Sequence, residues 1–128
     1  MSQELAIFLT LYATFWVIVI FVFYLLYTIP LAGVFKKAGE SRWKAFVPFV
    51  NSYTRTKIVF GEERAWWFLI DFILSGLFGC YTAYNEARAF GYEPLFSVLH
   101  ILFQPITTFI IWLGGNKYEG KQRFLLDK

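Results

Sequence analysis

The chain has 128 residues, of which 58% are hydrophobic, 23% aromatic and only 16% charged, with a formal net charge of +3. A soluble domain carries about 25% charged residues, so this composition describes a membrane protein, and its length allows a single membrane domain with no separate soluble one. The lone cysteine, Cys80, excludes an internal disulfide, and no Cys/His spacing suits structural zinc; no metal, cofactor or nucleic-acid partner is expected.

The first element is a transmembrane helix over 5–29. Leu5 to Ile29 has 25 residues without a charged side chain, about 37 Å at the helical rise against a hydrocarbon core of about 30 Å. Ser2, Gln3 and Glu4 precede it in place of a basic n-region, the run is too long for an h-region, and no small-x-small site follows. It is therefore expected to remain in the mature protein. Pro30 and Gly33 are expected to stop or kink the helix.

Residues 34–61 read as amphipathic interfacial helices. Ser41 to Phe60 mixes aromatic and aliphatic side chains with Arg42, Lys44, Arg55 and Lys57, and Pro48 interrupts it. Burying those cations at mid-bilayer costs about 2.5 kcal/mol or more each. A shallow re-entrant hairpin about Pro48 to Asn51 is the alternative. The expected contacts with lipid headgroups are Lys36, Lys37, Arg42, Trp43, Lys44, Arg55 and Lys57, joined by Trp66 and Trp67 at the start of the next span.

Two further runs, 65–84 and 95–114, predict the second and third transmembrane helices of an all-α integral membrane protein. The first contains one charge, Asp71, about 10 Å below the surface marked by Arg64. Asp71 is expected to accept hydrogen bonds from Thr107 or Thr108 or to reach toward interfacial cations, with contact to a partner's polar group or a place on a transport path as the alternatives. Ser75, Gly76, Gly79, Cys80 and Ala83 form a strip of small residues suited to close helix packing within the chain or with a partner. In the third span, His100 is expected to be satisfied by a neighbouring backbone or hydroxyl group, with a cofactor-ligand role the minor alternative. Gln104-Pro105 predicts a kink.

Seven of the twelve Lys and Arg lie between the first two spans, four in the tail 115–128, and only Arg88 between the second and third. That asymmetry predicts a multi-pass protein of the bacterial cytoplasmic membrane with its N-terminus outside and its tail in the cytoplasm. The junctions around Gly39, Gly61 and Gly91, 22 and then 30 residues apart, share one order: a cation ending a helix, a glycine able to turn left-handed, then, at spacings that vary, an acid and an aromatic.

The run Phe35-Lys36-Lys37-Ala38-Gly39-Glu40-Ser41-Arg42-Trp43-Lys44-Ala45-Phe46-Val47-Pro48-Phe49-Val50-Asn51-Ser52-Tyr53, with Lys57, Gly61, Trp66-Trp67, Ala87-Arg88-Ala89-Phe90-Gly91 and Asn116-Lys117-Tyr118, resembles a family of small bacterial multi-spanning membrane proteins. That family is classed as a domain of unknown function, and some members carry a signal peptidase label. The chain departs from it in placing acids or Tyr92 after the junction glycines, and Ser75-Gly76 where a proline is expected in span two. The resemblance brings no catalytic residues.

Ser41 and Lys44 match an S-x-x-K spacing without its partner motifs, and Ser41 is accounted for as a helix N-cap. No enzymatic activity is expected. The sequence favours a non-enzymatic accessory subunit or adaptor of a larger membrane complex. A homo-oligomeric channel or transporter using Asp71 and an immunity-type protective protein are the competing classes.

Overall fold

Ser2 opens the first helix, α1 (Gln3–Lys37): its hydroxyl accepts the Leu5 N–H at 3.2 Å, and Glu4 sits in the first turn, where the helix dipole favours an acid. The computed structural model describes residues 1–124. Among them are six α-helices, two 3-10 segments and no strand. After α1 come a 3-10 turn (Arg42–Phe46), α2 (Val50–Phe60), a second 3-10 segment (Glu62–Ile70), α3 (Asp71–Leu74), α4 (Leu77–Ala89), α5 (Pro94–Leu102) and α6 (Gln104–Leu113).

The first helix does not end near Ile29. It continues through Pro30 to Lys37, and its character changes on the way: the stretch through Phe23 is exposed apart from the half-buried Ala6 and Val19, Tyr24, Leu25 and Tyr27 are half-buried, and Leu31, Val34 and Phe35 are wholly buried. Proline removes one backbone donor, but the packing of the last turns holds the helix together. Gly33 is a contact point and not a stop. A Cβ there would stand 2.1 Å from Cδ1 of Trp112 on α6. Gly33→Ala is accordingly expected to destabilise the fold by about 1–3 kcal/mol, read as a lowered unfolding midpoint in detergent; an unchanged midpoint would mean that Trp112 swings aside freely.

The helix ends as the junction pattern predicts. Gly39 has φ +86, its N–H bonds to the Lys36 carbonyl at 3.0 Å, and the Glu40 N–H bonds to Phe35 at 2.8 Å, a Schellman motif. Gly91 repeats it after α4, with Gly91 on Arg88 and Tyr92 on Ala87. Gly61 also has positive φ but an extended ψ of 163, and serves as the C-cap of α2.

Three spanning helices are not supported: among the described residues α1 alone is long and apolar enough to cross a membrane. The expected span 65–84 is divided by a turn in which Ser75 and Gly76 are both left-handed (φ 53 and 91). This is where the resemblance leads one to expect a proline. The small-residue strip is divided with it: Ser75 and Gly76 make the turn, Gly79 packs on Asp71, Ala83 is buried and Cys80 stays exposed. The expected span 95–114 is interrupted at Phe103 (φ −129, ψ 46), where Pro105 supplies no N–H to the preceding turn, leaving α6 about 15 Å long.

The segment expected at the interface supplies a core helix. α2 buries Thr54, Thr56, Ile58, Val59 and Phe60, and Pro48 and Phe49 connect it to the preceding 3-10 turn, Phe49 at φ 66. One core joins the end of α1 to Ala45, Ile58, Ala87, Phe90 and Ile111; a second gathers Val59, Phe60, Phe78 and Phe124. The tail is part of the fold through residue 124. Glu119 N–H bonds to the Ala89 carbonyl at 2.8 Å, Gln122 N–H to Val59 at 2.6 Å, and the Tyr118 hydroxyl donates to Ile58. The rest of the expected cytoplasmic tail, 125–128, lies outside the described residues.

Candidate functional site

Five helices each contribute one polar side chain to a single buried cluster. Arg55 of α2 meets Glu86 of α4 in a bidentate pair, Nε to Oε2 at 2.8 Å and Nη2 to Oε1 at 3.2 Å, and its Nη1 donates to the Tyr27 hydroxyl of α1 at 3.3 Å. Oε1 of Glu86 also lies 2.7 Å from Nε2 of His100 on α5, whose Nδ1 is 2.6 Å from the Thr107 hydroxyl on α6. Side-chain exposure is 1% for Glu86, 0% for His100 and 12% for Arg55.

The local sequence explains why these groups converge. Arg55 lies between Thr54 and Thr56 on the inward side of α2. Glu86 follows Thr82 and Ala83 on the buried side of α4. The break at Phe103 lets His100 and Thr107, seven residues apart, face each other across the α5–α6 bend. Burial alone pushes the Glu86 carboxyl up, but the Arg55 guanidinium and the His100 hydrogen bond outweigh it and hold the group well below the usual carboxylate range. Glu86 likewise outweighs the cost of burying Arg55 and raises its affinity for its proton.

With a neutral ring, Nε2–H donates to Glu86 and Nδ1 accepts from Thr107. With a protonated ring, Nδ1–H donates instead and the Thr107 hydroxyl donates to the Phe103 carbonyl at 2.9 Å. The order carboxylate, imidazole, hydroxyl activates a nucleophile when the hydroxyl faces a substrate. Here Thr107 is 5% exposed and faces the α5–α6 bend.

A cavity of about 390 Å3 opens beside Arg55, with Tyr24, Ser52, Thr56, Thr82 and Asp71 among its polar walls. The expected bond from Asp71 to Thr107 or Thr108 does not form. Asp71 Oδ1 accepts the Gly79 N–H at 3.1 Å, capping the first turn of α4 across the Ser75-Gly76 turn. His100 does find the expected hydroxyl, in Thr107.

The expected headgroup contacts divide in two. Arg55 is turned inward to Glu86. Lys37 donates to the Ile111 and Gly114 carbonyls at 2.6 and 3.1 Å, closing the C-terminal end of α6. Lys44 and Lys57 both hold Glu40, at 2.8 and 3.0 Å; burial raises the Glu40 carboxyl and the two lysines lower it further, leaving it below its ordinary value. Trp67 packs on Phe124. Lys36, Arg42, Trp43 and Trp66 remain exposed. Ser41 is exposed at the N-cap position of the first 3-10 turn, without a side-chain capping bond, so the S-x-x-K spacing joins it to a lysine already paired with Glu40. No group of three or more His, Cys, Asp and Glu able to hold a metal occurs among the described residues.

Glu86 is the principal residue that sequence reasoning misses. It lies two residues beyond the expected span 65–84, among polar neighbours that suggest a water-facing junction. Separations of 31 and 14 residues from Arg55 and His100 carry no periodic signal.

Residues 43–121 match the family of unknown function DUF5684. The chain belongs to this family. The DUF5684 region runs from the first 3-10 turn to the tail and contains Arg55, Glu86, His100, Thr107 and Asp71; α1, with Tyr24 and Tyr27, precedes it. No curated protein and no solved structure matches the chain.

Proposed function

We propose that the protein is a non-enzymatic accessory subunit or adaptor, anchored in a bacterial cytoplasmic membrane by α1 and docked there on a larger membrane complex. The observation that carries this reading is the contrast within one helix: none of the most apolar 18-residue stretch of α1 is buried, while its last turns are locked into the core. An exposed apolar helix of this length calls for lipid, another membrane helix, or both.

All twelve Lys and Arg follow residue 35, which favours an N-terminus outside and the helical body at the cytoplasmic face. Leu95, Leu99, Leu102, Ile106, Ile110 and Leu113 are exposed along α5 and α6, and they suit a body resting in the interface, with Lys36, Arg42 and Trp43 against headgroups. The non-enzymatic reading is supported by the burial of the Glu86–His100–Thr107 cluster, which leaves its hydroxyl without an approach for substrate.

Native mass spectrometry of gently solubilised protein tests the assignment. One copy of the chain with foreign subunits is the expected result. A ring of identical chains would replace it with a homo-oligomeric channel.

A further inference from the structure

We propose that the cavity between α1, α2 and the α3–α4 turn binds a protonated alkylamine through Asp71, supplied by the headgroup of an aminophospholipid. The choice of a lipid as the source rests on the anchored reading above; the amine chemistry stands on the cavity walls alone.

Apart from the Arg55 guanidinium and the Asn51 amide, the polar walls present acceptors. The Thr56 and Thr82 hydroxyls donate to the Ser52 and Phe78 carbonyls, both at 2.9 Å, Tyr24 donates to the Phe46 carbonyl, and Ser52 donates to Asn51 Oδ1 at 3.2 Å. Their hydrogens are engaged and oxygen lone pairs remain, so the walls complement a ligand rich in N–H donors.

Charge points the same way. The Arg55 guanidinium is matched by the Glu86 carboxylate, and Asp71 adds a negative charge with no ion pair among the described residues. One Asp71 oxygen takes the Gly79 N–H; the other, Oδ2, lies 3.2 Å from where a Cβ on residue 79 would stand, so the absent side chain at Gly79 gives the carboxylate its place. Phe49 and Phe72 stack with ring centroids 5.9 Å apart on the cavity wall, and aromatic faces attract an ammonium by their quadrupole.

The position selects a lipid over a soluble amine. Tyr24 lines the cavity four residues before α1 enters the core at Thr28, and Phe49 and Phe72 are exposed beside Ile73 and Leu77. Acyl chains leaving the cavity would meet apolar surface.

The test uses the full chain in mild detergent, offered equal amounts of phosphatidylethanolamine and phosphatidylglycerol and read by native mass spectrometry. Phosphatidylethanolamine is expected to be retained at least tenfold over phosphatidylglycerol. Asp71→Asn keeps an oxygen for the Gly79 N–H while removing the charge, and is expected to abolish the preference with an unchanged unfolding midpoint. Hexylamine, as a soluble probe, is expected to displace the retained lipid from the wild-type chain. Hexylamine binding without any preference for phosphatidylethanolamine would overturn the lipid source, and equal retention of both lipids with no hexylamine binding would overturn the site. A chain that shows the lipid preference without foreign subunits would overturn the accessory-subunit reading and leave the amine site standing.

Discussion

Replacing Glu86 by alanine is expected to destabilise the protein by about 3–5 kcal/mol, the largest single-residue effect in the structure. The substitution removes both carboxylate oxygens that accept from Arg55, one of which also faces His100 Nε2, and leaves Arg55 buried against the Tyr27 hydroxyl alone. The cost is that of a buried cation without its counter-charge, more than that of the three lost hydrogen bonds. Unfolding in detergent, followed by tryptophan fluorescence, would measure it. Arg55→Leu combined with Glu86→Leu removes both charges and is expected to recover much of the loss, because apolar replacements of a buried pair are frequently tolerated. A double variant as unstable as Glu86→Ala would place the effect in packing. The acid dependence has a definite sign. The fold holds the Glu86 carboxyl below its ordinary range, so its contribution is complete at neutral pH, above the unfolded value, and is lost as pH falls through the carboxylate range. The double leucine variant should lose that part of the acid sensitivity.

The sequence reveals the apolar character of α1 and the handedness of its junctions because both depend on local chemistry. Uncharged length predicts α1, and a cation followed by glycine predicts the Schellman turns at Gly39 and Gly91. The expected spans 65–84 and 95–114 fail for reasons that hydropathy does not register. At Ser75-Gly76 two consecutive left-handed residues end a helix within an apolar run, and at Phe103 the approach to Pro105 ends another. Those interruptions in turn create the polar sites: the first lets Asp71 cap α4, and the second brings His100 and Thr107 together. Arg55 reads as an interfacial cation because its window is rich in polar residues, and only the tertiary position of Glu86 turns it inward. Lys37 is similarly redirected by the end of α6, 74 residues away in the chain.

Thr10→Ile combined with Thr14→Ile is expected to reduce recovery of copurifying membrane subunits at least tenfold while leaving the helical body folded. At about 100° per residue, Ala6, Thr10, Ala13, Thr14 and Val17 fall on one side of α1, and Phe8, Tyr12, Phe15 and Trp16 fall on the other. The two faces differ in what they can approach. Phe8 and Tyr12 stack at 6.0 Å and Tyr12 meets Trp16 edge-on at 6.2 Å, giving a bulky aromatic surface suited to lipid. On the small face the Thr10 and Thr14 hydroxyls fold back onto the Ala6 and Thr10 carbonyls, both at 2.8 Å, leaving a shallow groove where another helix can come close. Helix association in lipid depends on such close approach because apolar burial gives little advantage there. Isoleucine at both positions fills the groove without adding charge or breaking the helix, and neither residue belongs to either core cluster. Phe8→Leu with Tyr12→Leu changes the opposite face and should leave subunit recovery intact. Equal recovery from both double variants would show that α1 serves only as a lipid anchor and would move the docking surface to the body.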